Sequence, residues 1–150
     1  MKQYFSFQWH ITDECDQRCK HCYIFSEDNC KNLDSMTWRQ MQDTFYNCLD
    51  FCKIYDRLPY FYITGGDPIL HPDFWKLLEL MKQHDIPFTI LGNPFHLNDE
   101  VCRRLKEYGC QKYQLLLTEC GKPTTGSASR AASTLPWRKS AASTVRVSAA

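Results

Sequence analysis

Three cysteines stand close together in the stretch Cys15-Asp-Gln-Arg-Cys19-Lys-His-Cys22. Thiolates on one short loop can wrap a single metal centre, and iron–sulfur clusters are held in this way. Three protein thiolates on a four-iron cluster would leave one iron open to an outside ligand. Zinc is the alternative, with His21 or Cys30 as a fourth ligand. Zinc sites of that kind commonly pair two two-cysteine knuckles, and no second pair lies suitably near. A second unusual motif, Gly65-Gly66-Asp67-Pro68, combines backbone freedom with one carboxylate. The other cysteines carry weaker signals. Cys48 and Cys52 are one helical turn apart and read more simply as small buried positions than as ligands. Cys30 reads as a loop bystander, and Cys102, Cys110 and Cys120 have no ligand spacing.

The segments that position these motifs alternate in type. Tyr4 to Thr12 is aromatic and β-branched and reads as a strand. After the cysteine loop, Asp34-Ser35 opens a helical pattern through Met36, Trp38, Met41, Phe45, Leu49 and Cys52. Tyr60 to Thr64 is a second strand, with Tyr60, Phe61 and Tyr62 expected to be buried, and it runs straight into the Gly-Gly turn. Pro72 and Asp73 open a second helix over Phe74, Leu77, Leu78 and Met81. Ile86 to Leu91 is a third strand and Asn98 to Tyr108 a third helix, stopped by Gly109; Lys112 to Leu117 begins a fourth strand. Such alternation implies parallel strands joined by right-handed crossovers, an α/β sheet or barrel. In those folds chemistry collects at the C-terminal ends of the strands, where both motifs fall. His71 reads as a turn residue at a helix start, and Gly92-Asn93-Pro94 as a strand-end loop.

The C-x3-C-x2-C spacing directly after the first strand resembles the radical S-adenosylmethionine (radical SAM) superfamily. Gly65, Gly66 and Asp67 resemble that family's Gly-Gly-Glu turn, with Asp in place of Glu. Gln8 to Cys15 and Tyr113-Gln114-Leu115 are similar to the subgroup that matures Cys-rich ribosomal peptides. The resemblance covers about residues 3–115. It implies the N-terminal half of a partial (β/α)6 barrel, with Cys15, Cys19 and Cys22 as ligands of a [4Fe-4S] cluster. It also implies S-adenosyl-L-methionine as cofactor, its amino group contacted by the Gly65-Gly66-Asp67 turn and its adenine approached by His21. One electron from the cluster would release a 5′-deoxyadenosyl radical that abstracts a hydrogen from the substrate. The implied partners are a Cys-rich precursor peptide, joined into a thioether, and a reductant such as flavodoxin or ferredoxin.

Composition limits the other classes. The 150 residues hold 43% hydrophobic and 14% aromatic side chains, which suits a globular domain. Residues 1–120 carry 13 Lys+Arg against 17 Asp+Glu, a net −4, and the last 30 carry five basic residues and no acidic one. A nucleic-acid binder would place its basic surface on the folded part, so nucleic acid is not an expected partner. No apolar run approaches the roughly 18–20 residues that span a bilayer, and the N-terminus lacks a signal peptide's pattern. Nine cysteines, an odd number, fit metal chemistry in a reducing cytoplasm better than a disulfide scaffold.

The chain is thus expected to divide into a core at 1–115 and a disordered tail at 116–150, rich in Ala, Ser and Thr and without apolar periodicity. A linker, a vector-derived tail and a basic interaction tail are the plain explanations. A sharper one is loss of a base in the codon after Gln114: restoring it permits a Ser-Leu-Asp-Gly strand end followed by a helix. A complete six-unit barrel needs roughly 200 residues. The expected products are therefore an inactive fragment of low solubility, with its last strand left as an unpaired parallel edge, or a non-catalytic zinc-binding module.

Overall fold

The computed structural model describes residues 2–19, 22, 24–25 and 33–115, together with the backbone of 144–146. His21, Cys30 and Cys120 lie outside the described residues, as does nearly all of the segment expected to be disordered. Strand β1 (Tyr4–Thr12) is followed by helix α1 (Trp38–Ile54), β2 (Leu58–Gly65), a 3₁₀ turn (Pro68–Leu70), α2 (Phe74–Gln83), β3 (Phe88–Leu91), α3 (Asp99–Glu107), β4 (Cys110–Gln114) and β5 (Thr144–Arg146). The sheet order is β1-β2-β3-β4-β5, parallel through β4. Right-handed crossovers that always step in one direction put every helix on one face. This is the α/β arrangement of a partial barrel.

Side-chain alternation builds the core under those helices. In register, Phe7, Phe61, Phe88 and Cys110 form one row across the sheet, and Trp9, Ile63, Ile90 and Tyr113 the next. Met41, Phe45 and Cys52 of α1, Phe74, Leu77, Leu78 and Met81 of α2, and Leu105 of α3 cover them. Cys52 is therefore a core position. Only Phe61 of the Tyr60–Tyr62 run is fully buried. Tyr60 and Tyr62 point to the other face, which none of the described helices covers, and the Tyr60 hydroxyl bonds the Thr89 hydroxyl at 2.7 Å.

Two boundaries differ from expectation. Helix α1 starts at Trp38, not near Ser35, because Thr37 and Gln40 form a reciprocal capping box that meets the first orphan amides. Ser35 is spent on β1 instead: it bridges Thr12, hydroxyl to hydroxyl at 2.6 Å. At the far edge, β4 is not left open. Residues Thr144–Arg146, expected to be disordered, pair antiparallel with Lys112–Gln114. An edge strand's unpaired amides and carbonyls are a template for such a segment, and the β-branched run Thr144-Val145 suits it. Among the described residues no helix is long and apolar enough to cross a membrane.

Candidate functional site at the C-terminal strand ends

The chain leaves β1 at Thr12 and enters the cysteine loop, while β2 ends at Gly65 beside it. The Gly66 amide donates to the Thr12 carbonyl at 2.8 Å and the Asp67 amide to the Glu14 carbonyl at 2.7 Å. Two motifs some fifty residues apart thus share one hydrogen-bonded seam. The glycines are what allow it. A Cβ on Gly65, whose φ is +152°, would strike the Thr12 carbonyl oxygen, and one on Gly66 would strike that of Glu14.

Cys15 is half-buried, Cys19 exposed and Cys22 half-buried, and all three thiols are free. The Cys22 amide donates to the Cys19 carbonyl at 3.0 Å, which closes a tight turn between the last two. The Cys15 sulfur accepts from the Gln17 amide at 3.4 Å and from Asn93 Nδ2 at 3.8 Å. Burial pushes the Cys15 thiol above its usual range; those two donors oppose the shift, and the charges of Asp67 and Asp16 add to it. Arg18 ties the loop to itself, donating to the carbonyls of Cys15 and Gln17 at 2.8 and 2.9 Å, and lies over the Phe25 ring.

The loop after β3 completes the site. Asn93 accepts the Phe95 amide on its side-chain oxygen at 3.0 Å and donates from Nδ2 to Asp16 Oδ1 at 3.0 Å. The buried Tyr113 hydroxyl donates to the Asn93 carbonyl at 3.1 Å. His96 Nε2 meets Asp16 Oδ2 at 3.0 Å. Asp67 lies beneath them, fully buried, with no hydrogen-bond partner on either oxygen. Burial raises its pKa to about 6; the His96 charge and the nearby Ile69 amide pull the other way, and Asp16 adds to the rise. The amides of Ile69 and Asn93 are close enough to be felt but outside hydrogen-bond geometry.

Among the described residues, one group of three metal-ligating side chains has its ligand atoms all within 4.8 Å of one another: Asp16, Asp67 and His96. The three thiols are not gathered so closely, and this conformation does not present them to one shared ion. A four-iron cluster makes a different demand. Each thiolate binds a separate iron, so the sulfurs stand further apart than ligands around a single ion. His71, by contrast, is structural. Its Nε2 donates to the Met36 carbonyl at 2.7 Å and its Nδ1 accepts the Asp73 amide at 3.0 Å, a pair of bonds that uses both nitrogens at the start of α2. Asp16 and His96 have no recognisable spacing in the sequence, and only the loop's strand-end location hinted at Asn93.

Residues 9–119 match the family model described as the radical SAM superfamily. The chain belongs to the radical SAM superfamily. Among curated relatives it is 29% identical over 111 residues to the mycofactocin maturase MftC of Mycobacterium ulcerans (strain Agy99), a match covering 73% of this chain and 28% of that protein. It is 28% identical over 99 residues to MftC of Mycobacterium tuberculosis (strain CDC 1551 / Oshkosh), covering 65% and 23%. It is 30% identical over 101 residues to the tungsten-containing aldehyde ferredoxin oxidoreductase cofactor-modifying protein of Pyrococcus furiosus, covering 66% and 26%. The chain therefore spans about a quarter of the length of these relatives. The radical SAM cluster and cofactor fit the residues present on two counts. The loop at the end of β1 offers three free thiols, and the adjoining seam holds a buried carboxylate with no hydrogen-bond partner on either oxygen.

Proposed function

We propose that this chain supplies the cluster loop and part of the cofactor cradle of a radical enzyme. The observation that carries the reading is the seam between the loop of Cys15 and the Gly65-Gly66-Asp67 turn, drawn by the Gly66 and Asp67 amides. In this reading Cys15, Cys19 and Cys22 hold a [4Fe-4S] cluster. The Gly65-Gly66-Asp67 turn contacts the cofactor's amino group, with Asp67 accepting it as a carboxylate. A bound ammonium group would supply the countercharge that Asp67 lacks, and would favour its ionised form. When bound, the cluster and S-adenosyl-L-methionine would supply a 5′-deoxyadenosyl radical for hydrogen abstraction. His21 is proposed to lie near the adenine.

The similarity to proteins named mycofactocin maturases supports a peptide as substrate class, here a Cys-rich precursor peptide. A reductant such as flavodoxin or ferredoxin and a cytoplasmic setting belong to the same proposal, as does a core at 1–115. The competing reading is a non-catalytic metal-binding module. The close approach of Asp16, Asp67 and His96, not shared by the three thiols, favours it.

Anaerobic reconstitution with iron and sulfide separates the two. The radical SAM reading expects a four-iron cluster whose paramagnetic resonance spectrum, after reduction, changes on adding S-adenosyl-L-methionine. Substituting Cys15, Cys19 or Cys22 with Ala should abolish it. Failure of the wild-type chain to take up iron and sulfide would leave the metal-module reading in possession.

A further inference from the structure

Asp67 poses a problem that its own neighbourhood does not solve. Both of its oxygens are buried and unpartnered, and a buried carboxylate in that state is costly unless a cation meets it. The β3 loop backbone packs directly against it, at a residue with no side chain. A Cβ on Gly92 would lie 2.8 Å from Asp67 Oδ1 and would also collide with the Tyr113 hydroxyl. Facing the same point are Asp16 and His96, whose ligand atoms and that of Asp67 all lie within 4.8 Å of one another. The three residues come from three loops, after β1, β2 and β3, so the sheet itself sets their spacing.

The surrounding hydrogen bonds orient two of the three and stop short of the third. Asn93 holds Asp16 Oδ1, and His96 pairs with Asp16 Oδ2 at 3.0 Å. The Tyr113 hydroxyl and the Phe95 amide fix Asn93 in turn. A 3.0 Å gap between two ligand atoms is about what neighbouring ligands show around an ion bound at roughly 2.1 Å.

We infer that Asp16, Asp67 and His96 form a site for a single divalent first-row transition-metal cation, separate from the thiols of Cys15, Cys19 and Cys22. Two carboxylate oxygens and one imidazole nitrogen, with no thiolate, suit ions such as Mn²⁺, Fe²⁺ or Zn²⁺. Three protein ligands leave coordination positions for water. The cation replaces the proton on His96 Nε2 and neutralises Asp67 where it lies. Asp67 has two oxygens to offer, so a cation on one leaves the second for the cofactor's amino group. The site stands whether or not the thiols hold a cluster.

Mn²⁺ is the discriminating probe, because zinc would also be taken by the thiols. The full chain, stripped with chelator, is titrated with Mn²⁺ while loss of the free-ion paramagnetic resonance signal is followed. One Mn²⁺ per chain is expected. His96→Gln, a change at a partly exposed loop side chain that the fold tolerates, and Asp67→Asn should each weaken binding at least tenfold. Combined Cys15→Ser, Cys19→Ser and Cys22→Ser should leave it within twofold. Absence of Mn²⁺ binding by the wild-type chain, binding that survives both substitutions, or binding lost with the cysteines would each overturn the assignment.

Discussion

Asp67 is where fold and site pull in opposite directions. Its side chain is sealed from water, and its pKa rises to about 6, chiefly through burial. An unfolded aspartate titrates near 3.9. The folded state therefore favours the protonated acid. This contribution is fully present below about pH 4 and is lost as pH rises through about 6. At pH 7 the ionised group costs about 3 kcal/mol relative to its neutral form. Asp67→Asn keeps the shape and removes the charge. In chelator at pH 7 the variant should be more stable than wild type by about 1–3 kcal/mol in urea denaturation. The gap should close toward pH 4. With Mn²⁺ added, wild type should recover part of the difference, since ligand that binds only the folded state stabilises it by mass action. A variant less stable than wild type in chelator at pH 7 would mean that Asp67 already has a partner.

The elements are tied by backbone more than by side chains at this end of the sheet. The amide of Gly66 reaches the Thr12 carbonyl and that of Asp67 reaches Glu14, leaving no room between the β2 turn and the loop carrying Cys15. Gly66→Ala must push that loop away, because the atoms it meets are the backbone of Asp13 and Glu14 and not a pliable side chain. Trypsin cleavage after the exposed Arg18 should then accelerate several-fold, while the global melting curve, set by the core, moves little. Unchanged cleavage would show that the seam does not restrain the loop. Much of this geometry was legible from residue types. The strand–helix alternation named the parallel sheet, and the cysteine and glycine motifs fell at strand ends where the loops meet. The start of α1 was not legible from Ser35, because Thr37 and Gln40 offered a better cap. Asp16 and His96 were invisible for a different reason: they meet through pairing of β1 with β2 and β2 with β3, and lie eighty residues apart in the chain.

Across the described residues, one sheet face is packed under helices and the other is not. Phe61 shows what the packed side depends on. It is fully buried, stacks on Phe7 at 5.3 Å and Phe45 at 5.8 Å, and leans on Trp9 at 5.4 Å, so it joins β1, β2 and α1. Tyr60 and Tyr62 flank it in sequence but lie on the uncovered face, where Tyr60 meets Tyr4 edge-on at 6.0 Å. An aromatic run cannot announce that division, because period-two alternation hides when every residue is large. Phe61→Ala should cost about 3–5 kcal/mol, the usual range for deleting a buried ring that leaves a cavity. Tyr62→Ala, on the open face, should cost well under half of that, since water replaces the lost contacts. Total stability in small domains is about 5–15 kcal/mol, so the Phe61 variant should lose most of its folded population on warming while the Tyr62 variant keeps a cooperative melt. Equal losses at the two positions would mean that the Tyr62 face is covered in solution as well, and that the sheet closes against something more than its helices.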